Sequence, residues 1–357
     1  EIVCDRLNSA FRELEKDAIW LLNLLERQRR RDDGDAPGID PFDDAQLNLN
    51  VEIQAIADLG SKIAEATLSP DADKVYWIDV ASGNERTSFH AAPLHVGNLL
   101  REHLFSPLKS VVLTSATLTT DGSFNFVKQR LGCNEAEELD VESPFDYRKS
   151  ALLYLVNDVP EPNQPGYAPA VHRAVSELGL QLKGRTLALF TSYAAMRATY
   201  AAIKQPLAAN NVTVLAQRID GSPQQLVERL RSDSRVVVLG TATFWEGVDV
   251  VGAALSALII AKLPFSVPSD PVFAARSELF EQPFQEFAVP QAVLKFKQGF
   301  GRLIRSGRDR GVCVVLDRRL LSKRYGTSFV KSLPGCTVEV GSSDDLSART
   351  SQWLSVR

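Results

Sequence analysis

From residue 150 to the C-terminus, short apolar runs alternate with segments of helical periodicity, and this alternation constrains the fold more than any other feature of the sequence. The runs are rich in Val, Ile and Leu and too short for helices, as is typical of buried parallel strands. Such alternation predicts an α/β fold, a parallel sheet with helices on both faces, whose ligands bind beyond the carboxyl ends of the strands. The predicted strands are 152–156, 186–190, 212–216, 236–239, 257–260 and 312–316, and the predicted helices are 168–181, 193–204, 224–232 and 273–284.

The first part of the chain has a different pattern. Apolar residues at helical spacing predict two helices, at about 1–30 and 44–68, and a charged loop with Gly and Pro separates them. This pattern predicts an α-helical hairpin region before the sheet. Further along, 75–80 is predicted as a strand, 96–104 as a helix and 111–113 as a buried parallel strand.

Composition narrows the class of protein. A chain of 357 residues is too long for one ordinary core, so we expect two or three folded units. No apolar run is as long as a membrane span and no signal peptide is visible, which predicts a cytoplasmic protein without a membrane partner. The four cysteines form no CxxC pair and fit buried thiols in a reducing compartment. Because the chain begins with Glu1 rather than Met, we expect a piece of a longer protein.

The strongest motif lies in the most basic stretch of the chain. Ten Lys and Arg residues stand between residues 295 and 324, although the net charge of the whole chain is −4. Within this stretch, Gln298, Arg302 and Arg305 form the pattern QxxGRxxR. On a helix these three side chains would share one face, and guanidinium groups suit phosphate because their planar fork donates two hydrogen bonds. The alternative is a solvated basic helix face.

Two further segments follow predicted strands. The first, Gly240-Thr-Ala-Thr-Phe-Trp-Glu-Gly-Val-Asp249, begins with small residues that let a ligand approach the backbone. Its carboxylates, Glu246 and Asp249, are suited to accept hydrogen bonds, and Phe244 and Trp245 are either base-stacking or core residues. The second is Thr-Ser-Ala-Thr at 114–117, which is weak by itself because hydroxyl residues commonly cap helices.

Together these segments resemble the motifs of a superfamily 2 DNA helicase of the DinG and XPD group. The matching segments are 114–118 for motif III, 187–193 for motif IV, 240–249 for motif V and 298–305 for motif VI. Three local sequences are similar to this group in particular. They are FWEGVD at 244–249, KLPF at 262–265 and SPF at 143–145. The match covers about 75–321, and the first 70 residues resemble by position the helical arch of the family.

The resemblance implies three regions and a motor function. The regions are a helical arch-like region at 1–73, the C-terminal remnant of a first RecA-like motor domain at 74–149, and a complete second RecA-like domain at 150–357. Such a motor binds ATP and Mg²⁺ between two RecA-like domains and acts on single-stranded or forked DNA. The partners implied are that DNA and a missing N-terminal motor domain.

Residue roles follow from the same resemblance. Arg305 would be the arginine finger, Arg302 a second phosphate contact, and Gln298 would organise the γ-phosphate side. Further candidates in the nucleotide site are Glu246, Gly247, Asp249 and Gly301. Candidate contacts with nucleic acid are Thr191, Ser192, Thr241 and Trp245. Ser115 and Thr117 would link the two motor domains.

The sequence departs from the family pattern in ways that fit truncation. It has no GxxxxGK[ST] phosphate cradle and no Asp-Glu dipeptide for magnesium, and it lacks the four clustered cysteines of the iron–sulfur cluster in many relatives. In the family most of these lie before the arch. We therefore expect a piece that does not hydrolyse ATP unaided, and an iron–sulfur cluster, if the whole protein has one, in the missing N-terminal part.

Two other functions compete with a truncated helicase. One is a non-catalytic module, derived from a helicase, that holds single-stranded nucleic acid. The other is a different α/β phosphate enzyme with a chance GRxxR, which the order of the motifs disfavours. Histidine-based catalysis finds no support, because none of the four histidines stands in a nucleophile motif.

Overall fold

The computed structural model describes residues 2–29, 41–80, 87–246 and 255–355. The chain divides into two compact units, Glu1–His95 and Val96–Arg357. A compact unit can contain parts of two evolutionary domains, so the boundaries expected after residues 73 and 149 stay a prediction. In the described helices, no segment is long and apolar enough to cross a membrane.

The first unit contains a pair of helices and a two-stranded ribbon. Its elements are α1 (Ile2–Arg29), α2 (Pro41–Thr67), β1 (Lys74–Val80) and β2 (Thr87–Pro93), and the two strands are antiparallel. The helices pack closely, because a Cβ on Gly60 would lie 3.3 Å from Cβ of Phe11. Asn8 Nδ2 also donates a hydrogen bond to Thr67 Oγ1 at 3.3 Å. The predicted helix pair and first strand are thus confirmed, whereas the more polar β2 was not predicted.

The second unit is built around a seven-stranded sheet in which all neighbouring strands are parallel. Its order is β5-β6-β4-β7-β8-β3-β9. The strands are β3 (Ala151–Val156), β4 (Thr186–Leu189), β5 (Thr213–Ala216), β6 (Val236–Gly240), β7 (Ala257–Ile260), β8 (Gly311–Val315) and β9 (Thr337–Gly341). The predicted α/β class and the six predicted strands are confirmed. The edge strand β9 was not predicted, because its burial alternates and it contains only two strongly apolar residues.

Helices lie on both faces of this sheet. The helices of the second unit are α3 (Val96–Leu100), α4 (Asn125–Leu131), α5 (Tyr147–Ser150), α6 (Tyr167–Gln181), α7 (Tyr193–Ala208), α8 (Pro223–Ser232), α9 (Ala242–Trp245), α10 (Pro271–Ser277), α11 (Val289–Phe300), α12 (Arg319–Ser322), α13 (Gly326–Lys331) and α14 (Leu346–Ser355). Alternate strand residues face two separate cores. One core includes α6, α7 and α14, and the other includes α8, α9, α11 and α13. Two-sided burial explains why the strands read as continuous apolar runs.

Two predicted elements differ from the structure. Residues 111–113 form no strand, and the side chain of Val112 is 86% exposed. A parallel strand needs a neighbour for its backbone groups, and the described part of the chain offers none at this position. The helix predicted at 273–284 ends instead at Ser277 and helical structure resumes with a π-helical turn at Phe284–Ala288. Pro283 lies where helical structure resumes. A proline disfavours helical backbone in the residue before it, which explains why the helix does not continue through this position.

Helix α11 packs so closely against α9 that position 299 requires glycine. A Cβ on Gly299 would lie 2.8 Å from a ring carbon of Trp245 and 3.2 Å from Cδ1 of Leu189. Trp245 is 3% exposed and Leu189 is fully buried, so neither side chain has room to move outward. This contact fixes the distance between the segment after β6 and the C-terminal end of α11.

We expect Gly299→Ala to lower the free energy of unfolding, because overpacking a close-packed contact costs about 1–3 kcal/mol. The higher helix propensity of Ala returns up to about 1 kcal/mol of this loss. Gly307→Ala is the matched control, since a Cβ there meets nothing within 4 Å. Urea unfolding of both variants measures the difference. Equal effects of the two substitutions would contradict the packing argument.

Candidate functional site

Residues predicted to contact nucleic acid follow neighbouring strands of the sheet. Thr191 and Ser192 follow β4, and Thr241 follows β6, which pairs directly with β4. The carboxyl ends of parallel strands lie at the same edge, and this edge is the usual ligand site of such folds. The structure therefore brings these three hydroxyl groups to one edge of the sheet.

Ser192 caps helix α7 at this edge. Its Oγ accepts a hydrogen bond from Ala195 N at 3.2 Å. The cap uses a lone pair of the hydroxyl oxygen, which leaves the O–H free to act as a donor. Ser192 is exposed and Thr191 is half-buried, so both are accessible from solvent.

Gln217 holds the start of the segment after β6, although no sequence motif contains it. Its Oε1 accepts hydrogen bonds from Thr241 N at 2.8 Å and from Thr241 Oγ1 at 2.9 Å. Its Nε2 donates to Thr243 Oγ1 at 3.2 Å. Gln217 is 3% exposed, and a buried amide in this setting fixes the loop it bonds. One sequence feature could have indicated this role, because Gln217 is a polar residue directly after the predicted strand 212–216.

The stacking role considered for Trp245 is not compatible with its position. Its side chain is 3% exposed, Phe244 is fully buried, and Trp245 Nε1 donates a hydrogen bond to Phe190 O at 3.1 Å. A ring inside the core presents no open face to a base. We therefore correct the assignment of Trp245 from a nucleic-acid contact to a core residue that joins α9 to the end of β4.

Thr191 and Glu246 line a cleft at the carboxyl edge of the sheet, with a volume of 520 Å³, and the nearly buried Trp245 borders it. Residues 264–267, α10 and α11 form much of its remaining wall. Its charged lining residues are Glu246, Asp270, Arg276 and Lys295. Glu246 is exposed, whereas Gly247 and Asp249, the other predicted nucleotide contacts of this segment, lie outside the described residues.

The motif QxxGRxxR is not one continuous helix. Helix α11 ends at Phe300 and Gly301 follows as its capping residue, so Gln298 lies on the helix but Arg302 and Arg305 lie beyond it. The backbone tightens here, since Arg302 N donates to Gly299 O at 3.1 Å. The expectation that the three side chains share one helix face was therefore wrong, because the helix ends at a segment with two glycines, which are poor helix formers.

The two arginines have different surroundings. Arg302 is 8% exposed, and its Nη2 donates to Trp245 O at 3.1 Å. This bond joins the loop after α11 to the segment after β6. Arg305 is exposed and stands on a turn in which Asp309 accepts hydrogen bonds from the backbone. Oε1 of Gln298 is buried without a hydrogen-bond partner among the described residues.

The segment predicted to link the motor domains contacts α11. Within it, Thr117 N donates to Ser115 Oγ at 3.2 Å. Two residues later, Lys297 Nζ donates to both Thr119 O and Thr119 Oγ1 at 2.9 Å. Burial lowers the pKa of Lys297. Lys297 directly precedes Gln298, so it ties the Ser115–Thr117 segment to the QxxGRxxR motif, a link that the sequence analysis did not predict.

Part of the second unit matches a known protein family. The model of the helicase C-terminal domain family matches residues 175–336. The solved structure described as XPD_APO has a TM-score of 0.56 and 16% identity, and the match covers 86% of this chain and 64% of that chain. At this identity the likeness shows the fold alone.

Curated relatives give the same family at higher identity. The 3'-5' exonuclease DinG of Bacillus subtilis is 35% identical over 290 residues, covering 78% of this chain and 31% of the relative. The ATP-dependent DNA helicase YoaA of Escherichia coli is 38% identical over 263 residues, covering 72% of this chain and 40% of the relative. The ATP-dependent helicase DinG of Mycobacterium tuberculosis H37Rv is 38% identical over 291 residues, with 78% and 43% covered. The chain thus spans less than half of each relative.

These matches confirm the family that the sequence motifs indicated. Over residues 175–336 the chain is a helicase C-terminal domain of the kind found in relatives of DinG and YoaA, and its likeness to XPD is one of fold.

Proposed function

We propose that this chain is the arginine-finger half of an ATP-dependent motor that moves on single-stranded DNA in repair or replication. The observation that carries the proposal is the placement of Arg305. It is an exposed cation on a loop that Arg302 fastens to the segment after β6. Two of the relatives described above are named ATP-dependent helicases, which supports the same function.

In this proposal Arg305 donates to the transferred phosphoryl group of ATP. Phosphoryl transfer is catalysed mainly by positioning and by neutralising charge on the equatorial oxygens, which an arginine finger does without losing its own charge. Arg302 contributes mainly by fixing the loop, because its guanidinium is buried against Trp245. Gln298 and Gly301 lie beside it at the end of α11, where the buried Oε1 of Gln298 is suited to accept a hydrogen bond from a water or hydroxyl group.

The other half of the ATP site would come from a first motor domain. The sequence contains no GxxxxGK[ST] segment to cradle phosphates. Among residues 2–29, 41–80, 87–246 and 255–355, no group of three or more His, Cys, Asp or Glu is placed to hold a metal ion. Mg²⁺ bound with ATP would therefore rely on carboxylates of that first domain. The chain alone should not turn over ATP.

The DNA track would run along the carboxyl edge of the sheet. Thr191 and Ser192 present hydroxyl groups there, and such groups commonly contact backbone phosphates. Thr241 donates its hydroxyl proton to Gln217, so it would contact a phosphate only by giving up that hydrogen bond. Gln217 holds Thr241 in place through two hydrogen bonds. Contacts of this kind position a strand without reading its sequence, as a translocating motor requires.

Coupling between the motor domains would pass through the segment that contains Ser115 and Thr117. Lys297 joins Thr119, two residues after Thr117, to the C-terminal part of α11. The apolar segment 111–113 just before it is exposed and unpaired in the described chain. A sheet of the first motor domain would give it the parallel neighbour that it lacks, which is why we assign it to that domain.

We expect Arg305→Ala in the full-length protein to lower ATP turnover by about 10³-fold or more, as removal of an arginine finger does. Affinity for single-stranded DNA should change little, because in this proposal Arg305 contacts nucleotide rather than DNA. Arg308→Ala is the matched control, since Arg308 is exposed on the same turn and should leave turnover unchanged. Steady-state ATPase assays with saturating DNA measure both. Normal turnover in Arg305→Ala would reject the finger assignment.

We also expect this chain alone to bind single-stranded DNA in a salt-dependent way. Each phosphate neutralised by Lys or Arg contributes a slope of about −0.7 to log K against log salt. Fluorescence anisotropy with a labelled oligothymidylate between about 50 and 200 mM salt gives this slope. An oligonucleotide with uncharged methylphosphonate linkages is the control and should show almost no slope. Equal, flat responses for both would contradict a phosphate-tracking groove.

A further inference from the structure

The turn that carries Arg305 is closed by one carboxylate. Asp309 Oδ2 accepts hydrogen bonds from Arg305 N at 2.8 Å and from Ser306 N at 2.7 Å. Asp309 Oδ1 accepts from Ser306 Oγ at 2.9 Å, and Asp309 N donates back to Ser306 O at 3.1 Å. Hydrogen bonds to an ionised acceptor are the stronger class, so this side chain determines the conformation of the turn.

The turn lies between two fixed points of the core. On its N-terminal side Leu303 and Ile304 are 1% and 2% exposed. On its C-terminal side Arg310 Nε donates to Trp353 O at 2.8 Å, and the Arg310 guanidinium lies 4.5 Å from the centre of the Trp353 ring. Between these points the backbone is exposed and contains Gly307, the residue type with the greatest conformational freedom. Within this stretch the Asp309 carboxylate bonds the backbone N–H groups of both Arg305 and Ser306.

We infer that Asp309 is a positioning residue for Arg305. Its carboxylate holds the backbone N–H of Arg305, and so fixes the point from which the guanidinium reaches a phosphate. Charge stabilisation depends on placement within a fraction of an ångström, and a shift of about 1 Å can cost on the order of 100-fold in rate. Asp309 itself contacts neither nucleotide nor DNA in this account, which rests on the proposed function of Arg305.

The test compares Asp309→Ala and Asp309→Asn in the full-length protein by DNA-stimulated ATP turnover. Asp309→Ala should lower kcat by about 100-fold, with smaller changes in KM for ATP, because the finger is misplaced rather than lost. Asp309→Asn keeps one oxygen acceptor and should lie between Ala and the unsubstituted protein. Arg308→Ala on the same turn is the control and should be unaffected. Thermal unfolding checks that each variant is folded, and if Ala is not, Asn and Ser306→Ala serve in its place.

A double variant separates positioning from general support of the fold. If Asp309 acts through Arg305, Arg305→Ala combined with Asp309→Ala should be no slower than Arg305→Ala alone. Additive losses, or normal turnover in a folded Asp309→Ala, would overturn the inference while leaving the finger in place. Normal turnover in Arg305→Ala would instead overturn the proposed function itself. The two failures are therefore distinguishable.

Discussion

Burial of the parallel sheet on both faces is the constraint on which the rest of the structure depends. Strands β3, β4, β6, β7 and β8 are almost completely buried, so their direction and register have little freedom. Because the strands run parallel, the loops that follow them emerge at one edge. The hydroxyl groups of Thr191, Ser192 and Thr241 and the cleft beside Glu246 are consequences of this arrangement rather than of local loop sequence.

A small set of close contacts fixes the loops after β6 and α11 to the buried sheet. Gly299 lets α11 approach Trp245, and Arg302 bonds the carbonyl of the same tryptophan. Lys297, on the same helix, donates two hydrogen bonds to Thr119. The exposed Arg305 therefore stands on a support in which each neighbouring segment is fixed to the core. Under the proposed function, this organisation would set the position of Arg305 before it meets a nucleotide held by another domain.

The parallel sheet was largely predictable because its central strands are apolar runs of the right length, whereas the more polar strands β2 and β9 were not predicted. The strand expected at 111–113 was wrong because it lacks a neighbouring strand in the described chain. The motifs can be recognised in the sequence, but the way in which the fold arranges their residues cannot. Nothing in the order of residues distinguishes a stacking Trp245 from a buried one, and the helical spacing of QxxGRxxR conceals the end of α11 at Phe300. Gln217 and Lys297 were missed because their roles arise from partners 24 and 178 residues away. A single sequence carries no signal of such distant partners.

The central claim is that this domain belongs to a motor driven by ATP and activated by DNA. Its most direct test is the ATP turnover of the full-length protein with and without single-stranded DNA. The account predicts slow turnover by the protein alone and strong stimulation by the DNA. No turnover in either condition would contradict it, and would indicate a nucleic-acid-binding module that keeps the motor's fold without its chemistry.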